Sequence, residues 1–187
     1  MTIKERLNKL KDKVLSGELL NDAGLGNEVN YHIFDYDVSD EYVVRKYIDR
    51  LIESYPDQIC NIDIHDVILE ILSEKNYLDK VFDFEEKKGS DFAATAVMRV
   101  LGVEKKDGLL MNEIVSRVEP GKVLFITGIG ESFRIIRAHT LLANMQSVVT
   151  DNPVILFYPG EYDGHSLRLF NKFEATNYYR AFKLVER

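Results

Sequence analysis

Lys122-Val-Leu-Phe-Ile-Thr127, Gly128-Ile-Gly130, the segment Glu131–Gln146 and Pro153-Val-Ile-Leu-Phe-Tyr158 together decide the fold. Two continuous apolar runs of strand length flank a segment whose apolar residues recur at helical spacing. Strands that are apolar at every position are buried on both faces, and a helix between two of them lets them lie parallel. This βαβ unit predicts a three-layer α/β architecture, Rossmann-like or P-loop-like, with a mostly parallel sheet.

Upstream of that unit, Val29–Asp35 and Gln58–Ile64 are rich in β-favouring residues and predict two more strands. Ile3, Leu7, Leu10 and Val14 recur at helical spacing, which makes residues 3–15 an amphipathic helix. Gly24-Leu-Gly26 then breaks the chain, and Asp40–Tyr55 returns to helix until Pro56 stops it. Residues 65–118 contain no convincing strand. They predict helices near Val67–Leu72, Tyr77–Phe84, Phe92–Leu101 and Leu109–Val118, forming a helical insertion on the sheet. Downstream, Pro159–Gly164 predicts a polar, turn-rich loop, and Tyr178–Val185 a last strand. A length of 187 residues fits one domain spanning 1–187.

Composition narrows the partners. The formal charge is −7, from 24 Lys and Arg against 31 Asp and Glu. That balance disfavours nucleic-acid binding by the chain alone, which rests on clustered basic residues. No run approaches the roughly 20 apolar residues of a membrane span, and Met1–Leu10 has no signal-peptide core. A soluble, cytoplasmic protein is expected. The single cysteine, Cys60, sits in a strand-like run and predicts a buried free thiol of a reducing compartment.

Several constellations bear on chemistry. Gly128-Ile-Gly130 joins a strand to a helix, where backbone N–H groups can face an anion. However, Gly130 is followed by Glu131 and Ser132 rather than the Lys-Ser/Thr of a Walker A motif. Phe133 stands where a dinucleotide fingerprint needs its third glycine, so a tight βα turn is the simpler reading. Arg134 and Arg137, three residues apart on the predicted helix, share a face, and His139 points elsewhere. Asp35 with Asp37, and Asp63 with His65, close the first two strands, each pair spaced to lie on one side. Ligands bind at the carboxyl ends of parallel strands, so these four could hold a divalent metal for phosphoester hydrolysis. Helix capping is the simpler use of the same residues. The rigid loop Pro159–His165 offers Glu161, Tyr162, Asp163 and His165 for recognition. No nucleophile–base pattern is present, and no cofactor is implied.

Three separated strings carry a resemblance. Asn30-Tyr-His-Ile-Phe-Asp-Tyr-Asp37, Val123-Leu-Phe-Ile-Thr-Gly-Ile-Gly130 continuing to Arg137-Ala-His139, and Phe157-Tyr-Pro-Gly-Glu-Tyr-Asp-Gly-His-Ser-Leu-Arg-Leu-Phe170 occur in the order found in the BrxB family. One departure is Arg134, where many members would be expected to carry proline. The resemblance covers nearly the whole chain. It implies a component of a BREX phage-defence system: a small accessory subunit without established catalysis that docks onto the alkaline-phosphatase-like protein PglZ or another BREX component. The docking surface expected on that reading combines Gly128, Gly130, Arg137, His139, Glu161 and Asp163. Two rivals stand beside it: a metal-dependent phosphoesterase or nuclease using Asp35, Asp37, Asp63 and His65, and a degenerate nucleotide-binding module.

Overall fold

The computed structural model describes residues 1–22, 30–175 and 181–187. Four parallel strands form the middle of the sheet: β1 (Tyr31–Tyr36), β2 (Ile59–Asp63), β3 (Val123–Thr127) and β4 (Val154–Tyr162). The last residues of β4 leave the parallel ladder. Gly160–Tyr162 pair antiparallel with β5 (Leu167–Leu169), which pairs in turn with β6 (Phe173–Ala175). The short β7 (Phe182–Lys183) then adds in parallel to β1, giving the order β2-β3-β4-β1-β7.

Side-chain alternation along the strands feeds two cores. Ile33, Cys60, Ile62, Leu124, Ile126, Leu156 and Tyr158 face one side. Phe34, Tyr36, Phe125, Ile155 and Phe157 face the other. On the second side, Phe125 and Phe157 meet edge to face with ring centres 5.0 Å apart, and Phe34 lies 5.7 Å from Phe157. With both faces apolar, the sheet must be covered twice, as the continuous apolar runs predict.

Helices supply the covers. α1 (Ile3–Leu15), α2 (Glu18–Asp22) and α3 (Glu41–Ser54) pack on the Phe34 side through Leu7, Leu10, Val14, Val44, Ile48 and Leu51. α1 begins with a capping box: Thr2 Oγ1 accepts from the Glu5 N–H, and the Glu5 carboxylate accepts from the Thr2 N–H. The other face is covered by α4 (Ile64–Glu74), α6 (Ser90–Leu101) and α7 (Leu109–Arg117), with α5 (Leu78–Lys88) between the first two. α5 has no fully buried residue and leans on α6, where Phe84 meets Phe92 edge on at 5.4 Å. No strand interrupts residues 65–118.

Two expectations are corrected. The helix predicted over Glu131–Gln146 is broken: α8 (Ile129–Ser132) ends in a turn in which Ser132 O accepts from both Ile135 N and Ile136 N. α9 (Ala138–Met145) then starts afresh after Arg137, so Arg134 and Arg137 share no helix face. The break falls at the turn containing Arg134, the position where proline was expected. Second, Pro159–Tyr162 is strand rather than loop. Proline has no N–H to give, and Pro159 sits at the last parallel register position, opposite Tyr36. Gly160 then lets the Arg168 carbonyl approach where any Cβ would clash. The two residues mark a change of pairing partner. Gly24-Leu-Gly26, Val29 and Tyr178–Arg180 lie outside the described residues.

Candidate functional site

In an open parallel sheet, ligands bind where neighbouring strands send their connections to opposite faces. Here that point lies between β1 and β4. β1 leads into α3 on the Phe34 side, whereas β4 leads into the β5 hairpin, whose Leu167 and Leu169 pack on the opposite core.

The crevice is filled by the chain itself. Asp35, wholly buried at the end of β1, receives Arg6 Nη2 on Oδ1 at 2.9 Å. Its Oδ2 receives Arg187 Nε at 3.0 Å and the Tyr162 N–H at 3.1 Å. Arg6 Nη1 also donates to the Asp35 carbonyl at 2.7 Å, and Arg6 Nη2 to the Val185 carbonyl at 3.0 Å. The Arg6 guanidinium lies over the Phe34 ring, 4.8 Å from its centre. Arg187 completes the closure by donating to Asp37 Oδ1 at 3.0 Å and to the Gly160 carbonyl. A carboxylate buried this deeply must be paired and hydrogen-bonded, and Asp35 is both. Sequence reading missed Arg6 and Arg187. Arg6 left one signal: a charged residue inside the Ile3–Leu7–Leu10 stripe of α1.

The second acidic strand end has a different job. β2 stops at Asp63 and α4 starts at Ile64, so Asp63 and His65 do not share a strand face, contrary to the expectation from their spacing. Asp63 is the N-cap of α4, and its Oδ1 accepts from His65 N at 3.0 Å and Asp66 N at 3.2 Å. Its Oδ2 accepts from the Thr127 hydroxyl at 2.9 Å. Gly128 is packed against this cap. At its φ of +76°, an added Cβ would fall under 3.0 Å from Asp63 Oδ1 and His65 N. Among the described residues, no three His, Cys, Asp or Glu are placed to hold one metal ion.

The six residues expected to form one surface separate into three groups. Gly128 and Gly130 are packing positions, the latter fitted against Phe170 and Pro159. Arg137 and His139 line a cavity of about 580 Å³ between α6 and the turn before α9. Glu161 and Asp163 stand exposed on the β4–β5 hairpin. There Glu161 opposes Arg168 across the antiparallel pair at 3.6 Å. Asp163 Oδ1 accepts from His165 N at 2.8 Å and Ser166 N at 2.7 Å. Those backbone bonds, with a third from the Ser166 hydroxyl, pull the Asp163 carboxyl down to about 2.

Comparison with known proteins relates the sequence to one family. The family described as BREX protein BrxB matches residues 60–184. Over 189 aligned residues, 99% of this chain and 98% of the relative, the sequence is 41% identical to BREX protein BrxB of Bacillus cereus strain H3081.97.

The chain belongs to the BrxB family.

A second BrxB, from Escherichia coli O9:H4 strain HS, is 29% identical over 183 residues, 96% of this chain and 90% of that relative. No solved structure matches the chain significantly. The BrxB family match contains Asp63, Gly128, Arg137 and the Glu161–Asp163 hairpin, while Arg6, Asp35 and Arg187 lie outside it. No helix among the described residues is long and apolar enough to cross a membrane.

Proposed function

We propose that this chain is a non-catalytic accessory subunit of a BREX phage-defence system. It acts in the cytoplasm and docks through its β4–β5 hairpin onto another BREX component, with PglZ as the first partner expected. The observation that carries the non-catalytic reading is the closed switch point. Where a sheet of this topology would receive a ligand, Arg6 and Arg187 both donate to Asp35, and Arg187 donates also to the Gly160 carbonyl. Asp35, Asp37 and Asp63 are each engaged by arginine, backbone N–H or hydroxyl donors, so no specific observation favours a metal-dependent phosphoesterase.

The hairpin supports docking by its construction. Its inner face, Tyr162, Leu167 and Leu169, is buried and fixes the backbone, while Glu161, Asp163 and Arg168 point outward from a rigid ladder. Rigid, exposed polar groups beside exposed Phe173 give the mixed character of a docking rim. The test is co-purification with the neighbouring PglZ, followed by size-exclusion chromatography at physiological salt. A stoichiometric complex lost in Glu161→Lys/Asp163→Lys would support the reading. Independent elution of the two wild-type proteins, together with phage restriction unaffected by the double variant, would overturn it.

A further inference from the structure

We infer that the cavity between α6 and the turn before α9 binds a small phosphorylated molecule of mononucleotide size, with Arg137 holding the phosphate. At about 580 Å³ it is of the size that small-molecule ligands occupy. Its lining divides into an apolar part, with Ala94, Met98, Val103 and Ile136, and a polar part. This is not the glycine turn considered as a phosphate loop. That turn is filled by the Asp63 cap, whereas this cavity lies between α6 and residues 133–140.

Charge distinguishes the polar part. Of its two arginines, Arg134 is neutralised by an ion pair with Asp91. Arg137 has no acceptor among the described residues. Its guanidinium rests on the Phe133 ring, 5.2 Å from the centre, which orients the donor fork without satisfying it. His139 Nδ1 is buried in the same wall with no hydrogen-bond partner. Burial, and then the charge of Arg137, hold this imidazole below its ordinary pKa.

The backbone adds to these groups. Arg137 is the N-cap of the eight-residue α9 and supplies no side-chain cap. The first intrahelical bond runs from Leu141 N to Arg137 O, so the N–H groups of Ala138, His139 and Thr140 remain for an acceptor. Arg137, His139 and Thr140 all line this cavity, and the amides of the latter two have no acceptor among the described residues. A phosphate there takes charge-assisted bonds from the guanidinium and backbone bonds from the amides. The space beyond a phosphate is bounded by the apolar wall, Thr95 and Glu104, which suits a nucleoside. Glu104 has no ion-pair partner among the described residues and sets a limit on added negative charge. A monophosphate is therefore preferred to a triphosphate.

The inference is independent of hairpin docking and fails separately from it. The test is titration of the full chain with AMP, GMP, ATP, adenosine and inorganic phosphate, followed by isothermal calorimetry and backbone amide shifts. Expected is saturable binding of a mononucleotide, with amides of Ala138–Thr140 moving and with adenosine, phosphate and ATP each weaker. Arg137→Gln should weaken the mononucleotide by about tenfold or more, whereas Arg50→Gln on α3 should leave it unchanged. Ala94→Phe, which fills the cavity from α6 and leaves Arg137 in place, should abolish binding. No saturable binding of AMP or GMP, equal affinity in Arg137→Gln, or inorganic phosphate binding as tightly as the nucleotide would overturn the inference.

Discussion

Arg6 of the first helix holds Asp35 of the first strand twice, donating to its carbonyl at 2.7 Å and to its carboxylate at 2.9 Å. Both residues are buried, so neither charge has water as an alternative partner. Asp35→Ala should therefore cost about 3–5 kcal/mol, the scale for stranding one member of a buried pair. Arg187→Ala leaves that pair intact and should cost less, about 1.5–3 kcal/mol for its charged hydrogen bonds. Urea unfolding measures both, and a larger loss for Arg187→Ala would contradict the assignment of Arg6 as the principal counter-ion.

Gly128 and Gly164 test crowding against backbone strain. Both have positive φ, at +76° and +95°, but only Gly128 would bring a Cβ onto the Asp63 cap; around Gly164 there is open space. Gly164→Ala should lose only conformational strain, about 1–3 kcal/mol. Gly128→Ala should lose that strain and also the cap, worth about 0.5–2 kcal/mol more. Comparable melting temperatures for the two variants would count against the cap geometry.

Cys60 should be slow to react. Its thiol is buried, donates to the Arg117 carbonyl at 3.3 Å, and is pushed above its ordinary pKa by desolvation. Since the thiolate is the nucleophile, a disulfide reagent at mildly alkaline pH should label the native protein slowly and the unfolded protein at once. Fast native labelling would show the β2 edge to be open.

Asp163 gives the hairpin turn an acid-sensitive element. Its folded pKa is depressed from 3.8 to about 2 by the Ser166 and His165 amides and the Ser166 hydroxyl. A depressed carboxylate contributes stability that is present above its unfolded pKa and is lost as pH falls through the folded value. The turn should therefore hold above about pH 4 and loosen towards pH 2. A side-chain carboxyl titration by NMR should place its midpoint well below the usual aspartate range. An ordinary midpoint for Asp163 would remove the turn bonds from the account.

The parallel sheet was legible because the runs Val123–Ile126 and Val154–Tyr158 are apolar at every position, as the central strands of a covered parallel sheet are. The broken helix at residues 133–137 was not. Neither glycine nor proline occurs there, and Ile129, Phe133 and Ile136 keep the i, i+4, i+7 spacing that a continuous helix would also show. Pro159-Gly160 sent the opposite false signal: residues that usually make turns here serve a strand that changes partners. The site was legible only in pieces. Asp35 could be read as a strand-end carboxylate, but its partners stand 29 and 152 positions away, beyond any local pattern. The other strand-end carboxylate, Asp63, was open to two readings, and the α4 cap is the one realised. Family resemblance rested on longer strings and needed no such contacts.

Because Arg6 also reaches the Val185 carbonyl, 179 positions along the chain, α1 and the segment after β7 close over the same carboxylate. A ribosome delivers the two far apart in time. Until Val185 and Arg187 emerge, a nascent chain can assemble β1 and α1 only around a buried charge with part of its coordination missing. Emergence of residues 185–187 is thus the event that seals the sheet, and that short segment acts as its fastener.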